Sequence, residues 1–249
     1  MKLTILGSGS FTTGPERSKS SHLLEIGKRK ILVDAGDGTC NQLMKLGINP
    51  TDIDDIFITH FHSDHTLDIY SILVRIHIIN QFSDKESKIR IYGPKGTNNF
   101  IKGLDKLYDL NILDENDFSA HDVLEKEAFK GFSVTPFAVE HSPSARAYLF
   151  EIEGKKIVFS GDSNKCQGIF DASKDADLLI IDCSASKEIS EKAHLNTLDI
   201  AEICKKSNVK KAVLTHIRPT SYNKNLVVEV KEGFDGEVVL AEDFMEIEI

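Results

Sequence analysis

The chain has 249 residues, of which 41% are hydrophobic and 28% charged, enough for one large domain or two small ones with a substantial core. Thirty lysines and arginines against 39 aspartates and glutamates give a formal net charge of −9 at pH 7. This balance argues against a protein that binds nucleic acid over its whole surface, because phosphate binding normally leaves a basic stripe. It does not exclude a local cationic site such as a bound metal pair.

The sequence also lacks the signals of a membrane or secreted protein. No apolar run reaches the roughly 18–20 residues needed to span a bilayer, and the N-terminal segment has no apolar region followed by a cleavage site. Four cysteines (Cys40, Cys166, Cys183 and Cys204) lie far apart without a Cys-x-x-Cys pair, which argues against a disulfide framework or a zinc knuckle. We therefore expect a reduced, cytoplasmic protein that does not associate with membranes.

In the first half of the chain, short apolar segments bounded by glycine alternate with segments whose apolar residues recur at helical spacing. We predict strands at 2–7, 21–27, 30–36, 54–60 and 89–93. Helices are predicted at Thr39–Leu46, Leu67–Asn80 and Asn98–Leu110. The strand over 54–60 runs directly into a polar loop.

The second half repeats this organisation. Strands are predicted at 131–141, 145–154, 155–162, 177–184 and 210–216, with a terminal strand pair at 236–249 and an amphipathic helix at Asn196–Ser207. Two similar halves, each with strands first and helices outside, predict an α/β fold in which two sheets face each other and helices cover both. Because no low-complexity tract, charge block or linker divides the chain, we expect a single domain over residues 1–249.

Three histidines and an aspartate directly follow the strand predicted at 54–60. They are His60, His62, Asp64 and His65. Imidazole and carboxylate are the groups that bind zinc and similar divalent ions. If strand geometry continues, the side chains at 60 and 62 point the same way and reach one ion. Asp64 and His65 lie where the chain turns and can reach a second ion, whereas the alternative is a solvated polar loop.

Three further candidates each stand at the C-terminal end of a predicted strand: His141, Asp162 and His216. A single histidine at a strand end is more often a capped or packed residue than a ligand. However, strand ends in an α/β fold face one common edge, where sites are built. Together with the first four, these residues give seven ligands, which suit two ions with one bridging carboxylate.

The His-x-His-x-Asp-His motif and the three later positions resemble the metallo-β-lactamase superfamily. The resemblance covers nearly the whole chain and implies a four-layer αβ/βα sandwich with a dinuclear metal site. It implies that His60, His62 and His141 hold the first metal. It also implies that Asp64, His65 and His216 hold the second, and that Asp162 bridges the two.

Within that superfamily the chain is most similar to the ribonuclease Z branch. The segments that carry this similarity are LGSGS near the start, YGPKGT at 92–97, HSPSARAYLF at 141–150, GDS at 161–163, AHLNTLDIAEI at 193–203 and VLTH at 213–216. The branch places a histidine at the position of His194, which implies a role at the scissile phosphate and the leaving oxygen. A histidine can protonate a departing alkoxide or hydrogen-bond a phosphoryl oxygen. The alternative is a residue that merely neighbours the cap of the helix near Asn196.

This chain departs from the branch in two main ways. Ribonuclease Z carries a long arm that grips tRNA between the positions of His141 and Asp162, whereas only twenty residues separate them here, with a turn at Glu153-Gly154. The glutamate that the branch pairs with its catalytic histidine is replaced by Asp182, which is one methylene shorter. A smaller difference is Ala147, where the family usually has glycine.

We therefore predict a metal-dependent phosphodiesterase of ribonuclease Z type, whose substrate is a small phosphodiester or an RNA. The predicted catalytic residues are Asp64, His194 and Asp182. Histidine-rich, thiolate-free ligands predict two divalent ions, Zn²⁺ first, with Mn²⁺ or Fe²⁺ as the other candidates. Two alternatives stay open: a thioester or lactone hydrolase on the same fold, and a non-catalytic metal-stabilised module. The sequence does not give the oligomeric state, but the resemblance is compatible with a homodimer, which could supply the substrate-binding surface that the missing arm does not.

Overall fold

A computed structural model describes residues 1–82, 87–189 and 193–249. In this part of the chain, fourteen strands form two sheets of seven strands each. The first sheet contains β1 (Lys2–Gly7), β2 (Ser21–Ile26), β3 (Arg29–Ala35), β4 (Asp55–Phe57), β5 (Ile89–Gly93), β6 (Phe118–Asp122) and β14 (Glu246–Glu248). The second contains β7 (Glu127–Phe129), β8 (Phe132–Ala138), β9 (Arg146–Ile152), β10 (Lys155–Phe159), β11 (Leu178–Asp182), β12 (Lys211–Thr215) and β13 (Glu237–Leu240).

The two sheets have matching topologies. The first has the order β14-β1-β2-β3-β4-β5-β6 and the second β13-β12-β11-β10-β9-β8-β7. In each sheet one half is antiparallel, as in the β1–β2 and β9–β10 pairs, and the other half is parallel, as in the β3–β4–β5 and β10–β11–β12 runs. The parallel halves need crossover connections, and these carry the helices.

Seven helices complete the described part of the chain: α1 (Thr39–Lys45), α2 (Ser63–Asn80), α3 (Thr97–Tyr108), α4 (Ile112–Glu115), α5 (Gln167–Ala172), α6 (Thr197–Lys206) and α7 (Leu226–Lys231). One apolar cluster packs α1, α2 and α3 against the first sheet, and another packs α5, α6 and α7 against the second. None of these helices has both the length and the apolar character that a membrane crossing requires.

A third cluster lies between the two sheets and is rich in aromatic rings. Phe57 is fully buried there, and its ring stacks on Tyr92 at 4.9 Å and meets the edges of Tyr148 and Phe150. Offset and edge-to-face pairs of this kind add to the stabilisation from burial. The layers therefore run helix, sheet, sheet, helix, and the predicted four-layer α/β sandwich is confirmed.

Several predicted boundaries differ from the structure. The strand β4 ends at Phe57, three residues before the predicted end, so the residues at 60 and 62 belong to a loop and not to a strand. The helix α2 begins at Ser63, four residues earlier than predicted. The predicted terminal strand pair is wrong: β13 pairs with β12 in the second sheet, whereas β14 pairs with β1 in the first.

Candidate metal centre

All seven predicted ligands lie at one edge of the sandwich. His60 and His62 are in the loop after β4, and Asp64 and His65 are in the first turn of α2. The other three, His141, Asp162 and His216, follow β8, β10 and β12. Five of the seven are buried, namely His60, Asp64, His65, Asp162 and His216. The loops that follow parallel strands meet at this edge, which is why residues far apart in the sequence converge here.

The seven side chains form two groups that share Asp162. In each group the candidate ligand atoms all lie within 4.8 Å of one another. In the first, Asp162 Oδ2 lies 3.7 Å from His60 Nε2 and 3.5 Å from His141 Nε2, and the latter lies 3.0 Å from His62 Nδ1. In the second, Asp162 Oδ1 lies 3.1 Å from His65 Nε2 and 3.3 Å from His216 Nε2. The two oxygens of one carboxylate therefore face two different sets of histidines.

The donor set fits a pair of divalent ions. His60 Nε2, His65 Nε2 and Asp162 Oδ1 are buried and have no hydrogen-bond partner among the described residues, and leaving such atoms unpaired is costly. His65 Nε2 and Asp162 Oδ1 are only 3.1 Å apart, yet their geometry does not make a hydrogen bond. Two ligands of a tetrahedral zinc ion stand about 3.3 Å apart, since each bond is close to 2.05 Å. The distance between these two atoms thus fits two ligands of one zinc ion.

Hydrogen bonds on the far side of the rings fix their tautomers. Thr59 Oγ1 donates to Asp34 Oδ2 at 2.9 Å, so it accepts from His60 Nδ1 at 3.1 Å. His65 Nδ1 donates to Asp34 Oδ2 at 2.7 Å, and His141 Nδ1 donates to the carbonyl of Ala193 at 2.9 Å. Each ring therefore carries a proton on Nδ1 and turns Nε2 toward the centre, the atom that would bind an ion. Outer partners of this kind orient ligands and raise their basicity.

Asp34 is a functional residue that the sequence analysis missed. Besides His65 and the Thr59 hydroxyl, its Oδ1 accepts from the Thr59 backbone N–H at 2.8 Å, and the residue is 1% exposed. Its backbone adopts the left-handed region with φ 61°, as does that of His216 with φ 60°. Non-glycine residues in this region cluster at functional sites. The available signal was its position: Asp34 stands in a predicted strand that ends at the same sheet edge.

Gly161 lies against Thr59, next to the same candidate ligands. Its φ is +56°, and a Cβ there would lie 2.8 Å from Thr59 Cβ and 3.1 Å from the Arg146 carbonyl oxygen. A side chain would therefore displace Thr59, whose hydroxyl contacts both Asp34 and His60. Glycine is required here for its conformation and for this close approach.

The charges of the cluster suit metal ligands. Burial, together with the neighbouring His65 ring, holds the pKa of His60 well below 6.5, which keeps that ring neutral. Burial opposes ionisation of Asp162, but the rings of His216 and His65 outweigh it and hold its pKa well below 3.8. Burial likewise opposes charge on His216, yet Asp162, Asp182 and Asp64 raise its pKa to about 10. A divalent ion would displace such protons, so its binding should strengthen as pH rises.

His194 and Asp182 form a pair beside the cluster. His194 Nδ1 donates to Asp182 Oδ2 at 2.8 Å, and Asp182 Oδ1 accepts from the Ser184 hydroxyl at 2.7 Å. Burial opposes both charges. However, the Asp182 carboxylate raises the pKa of His194, while the His194 ring lowers the pKa of Asp182 to about 2. The shorter aspartate therefore reaches the histidine in place of the family glutamate.

The cluster opens into a cavity of about 630 Å³. His194 lies on its wall with its ring centre 4.8 Å from that of His141 and 5.2 Å from that of His216. Further residues line the cavity: Phe11, Thr12, Ser63, Ile189, Arg218 and Thr220. A substrate in this space would touch both the candidate ligands and His194. The arrangement suits hydrolysis, with a metal-activated water on one side and an acid on the other.

Comparison with known proteins places the chain among enzymes of this architecture. A family model described as Anti-Pycsar protein Apyc1 matches residues 1–236. The chain belongs to this family. Among curated proteins it is 29% identical to Ribonuclease Z of Methanosarcina acetivorans, over 100% of this chain and 98% of that protein. It is also 29% identical to Ribonuclease Z of Haloarcula marismortui, over 99% of this chain and 96% of that protein.

Solved structures support this assignment of the chain. The metallo-β-lactamase fold protein YhfI from Bacillus subtilis superposes with a TM-score of 0.88 at 23% identity, covering 100% of this chain and 99% of that one. The short form of human tRNase Z superposes with a TM-score of 0.80 at 27% identity, with the same coverage. The predicted metallo-β-lactamase fold and ribonuclease Z resemblance are confirmed. The chain is thus a metal-dependent hydrolase of ribonuclease Z type, and the acyl-hydrolase alternative is not favoured.

Proposed function

We propose that this protein is a two-metal phosphodiesterase that hydrolyses small phosphodiesters. In this proposal His60, His62 and His141 hold one divalent ion. Asp64, His65 and His216 hold the other, and Asp162 bridges them. Zn²⁺ is the ion that best suits this histidine-rich, thiolate-free set, with Mn²⁺ or Fe²⁺ as alternatives.

One observation carries the proposal: the buried His194–Asp182 pair stands on the wall of the same cavity as the candidate ligands. Hydrolysis of a phosphodiester expels an alkoxide, which needs a proton or a strong hydrogen bond as it leaves. Burial opposes a charge on His194, but the Asp182 carboxylate outweighs it and raises the pKa of the ring, which favours the protonated form that this task needs. The curated relatives named Ribonuclease Z support the same assignment of chemistry.

The roles of the protein groups follow from their positions. Two bound divalent ions would supply an acidified water and neutralise the charge that develops on the phosphoryl oxygens. Asp64 Oδ2 lies 3.3 Å from His216 Nε2 and 3.7 Å from His65 Nε2. We assign the other carboxylate oxygen of Asp64 to orienting the water and accepting its proton. His194 protonates the leaving oxygen. Asp182 fixes the orientation of that ring and stabilises its charged form.

The compact outline of the chain favours a small substrate over tRNA. Only Glu153 and Gly154 separate β9 from β10, so no arm projects at the place expected of ribonuclease Z. The alignment with the Methanosarcina protein spans 307 positions, whereas this chain has 249 residues. At 58 of the aligned positions this chain therefore has no residue. The net charge of −9 also disfavours a long polyanion. RNA, which the name of these relatives indicates, is the second candidate substrate.

We also propose that the chain acts as a single domain and as a homodimer. The cluster between the sheets takes residues from both halves of the chain, which supports one cooperative unit over residues 1–249. Exposed apolar side chains surround a groove of about 650 Å³ between α2 and α3, among them Leu67, Ile78, Tyr108 and Leu110. Grouped exposed apolar residues mark interaction surfaces, and a second copy is the occupant we assign. Sedimentation of Tyr108→Glu should then show a monomer, whereas Leu124→Glu, at an exposed leucine outside this groove, should leave the dimer intact.

The test of function measures metal content and turnover in two variants. Protein reconstituted with Zn²⁺ or Mn²⁺ should hydrolyse bis(p-nitrophenyl) phosphate. His62→Ala should lose metal and turnover together. His194→Ala should keep both ions and lose turnover of a nucleotide diester with an alkoxide leaving group, while it retains more turnover of the p-nitrophenyl ester, whose leaving group needs little help from an acid. Loss of both metals in the His194 variant would contradict the assigned division of roles. Comparison of small cyclic diesters with a precursor tRNA would then decide between the two substrate classes.

A further inference from the structure

The loop between β1 and β2, residues 8–20, is anchored firmly at its base. Gly9 N donates to the Ser18 carbonyl at 2.8 Å, and Ile217 N donates to the Ser8 carbonyl at 3.0 Å. Arg17 Nη1 donates to Ser8 Oγ at 2.6 Å. On the other side, Thr13 Oγ1 and the hydroxyl of Tyr222 lie 3.0 Å apart. These bonds close the base of the loop and tie it to the segment that follows β12.

Phe11 lies in this loop with 61% of its surface exposed. Its ring lines the same cavity as His62, Asp64 and His194. The ammonium group of Lys19 lies 5.7 Å from the ring centre, within the range of a cation–π contact, and so helps to hold the ring in place. Folding alone gains little from a large aromatic side chain left in water. A flat group bound in the cavity would cover it.

We propose that Phe11 is a stacking platform for a nucleobase attached to the scissile phosphodiester. The inference rests on the proposed function and adds a specificity-determining residue to it. A ring beside the phosphate site suits a nucleoside, because every base has a flat face that stacks on an aromatic side chain. Phe11 therefore favours nucleotide diesters over simple alkyl diesters, through substrate binding and not through the chemical step.

Two chromogenic substrates with the same leaving group isolate this effect. Thymidine 5′-(p-nitrophenyl phosphate) carries a base, and methyl p-nitrophenyl phosphate does not. Phe11→Ala should raise KM about tenfold for the thymidine ester and leave its kcat nearly unchanged, since base stacking is commonly worth that much affinity. The same variant should leave the methyl ester unaffected, and Phe11→Tyr should keep the affinity of the parent protein. Phe82→Ala, at a phenylalanine that is 86% exposed and outside this cavity, is the matched control.

A binding experiment keeps this inference separate from the proposed function. Calorimetric titration with thymidine 5′-monophosphate needs no turnover, and Phe11→Ala should weaken its binding about tenfold while binding of inorganic phosphate is unchanged. Equal losses for both ligands, or no loss for the nucleotide, would overturn the role of Phe11. Absence of turnover with the nucleotide effect present would instead refute the phosphodiesterase and leave the nucleoside subsite standing.

Discussion

Asp34→Asn tests how much the centre depends on the residue behind its ligands. The substitution keeps the side-chain volume but leaves one acceptor oxygen where the carboxylate has two. Those two oxygens accept three hydrogen bonds, from His65 Nδ1, the Thr59 hydroxyl and the Thr59 backbone N–H. The amide nitrogen of asparagine would face a donor. We therefore expect the rings of His65 and, through Thr59, of His60 to lose their fixed orientation.

The magnitude follows from the bonds that are lost. A buried charge-assisted hydrogen bond contributes about 1.5–3 kcal/mol. Loss of an outer partner of a metal ligand typically weakens metal affinity about 10–100-fold, which corresponds to about 1.4–2.7 kcal/mol. The two figures agree, so the dissociation constant for Zn²⁺ should rise by one to two orders of magnitude. Competition with a chromogenic chelator measures it.

Asp55→Asn provides the matched control. Asp55 is another fully buried carboxylate of the first sheet, and it pairs with Arg29 at 2.6 Å and with Arg90 at 3.0 Å, away from the cluster. This variant should lower the melting temperature without changing zinc affinity. If Asp34→Asn binds zinc as tightly as the parent protein, or if both variants lose affinity equally, the positioning role of Asp34 is refuted.

Three further outcomes follow from the structure. Asp182→Asn should reduce kcat and retain both ions, as metal analysis beside steady-state kinetics would show, because it removes the carboxylate that holds His194. Gly161→Ala should lower the melting temperature more than Gly154→Ala, since both need a left-handed backbone but only Gly161 lies against other atoms. Burial lowers the pKa of His22 to about 4, from 6.5, so the folded state loses stability as pH falls from 6.5 toward 4, by about 3 kcal/mol. His22→Leu should reduce this loss of stability at acid pH, measured as the fall in melting temperature between pH 6.5 and pH 4. An unchanged fall would show that His22 does not cause the loss.

The sequence was most informative where candidate ligands are close together along the chain or stand at strand ends. His60, His62, Asp64 and His65 form one motif, and the positions of His141, Asp162 and His216 after apolar strands indicated a common edge. The structure places all of them together. Hydrophobic periodicity reports which segments are buried strands, and parallel strands end on the same side, so this part of the site could be predicted.

What the sequence missed depends on contacts between distant segments. Asp34 resembles an ordinary strand residue, and its role appears only when β3 lies beside β4 and brings it to Thr59 and His65. The strand β6 was missed because its sequence, FSAHD, lacks the apolar run of a buried strand, and its residues are only partly buried or exposed. Strands β13 and β14 were predicted, but a pattern of apolar residues does not identify the partner of a strand.

The central claim is that two divalent ions in this cluster activate water for attack on a phosphodiester. The most direct test adds Zn²⁺ stepwise to metal-free protein and follows hydrolysis of bis(p-nitrophenyl) phosphate. Turnover should rise until two ions are bound per chain and then level off, and His62→Ala should stay at background throughout. Full turnover by the metal-free protein, or none with both ions bound, would contradict the account.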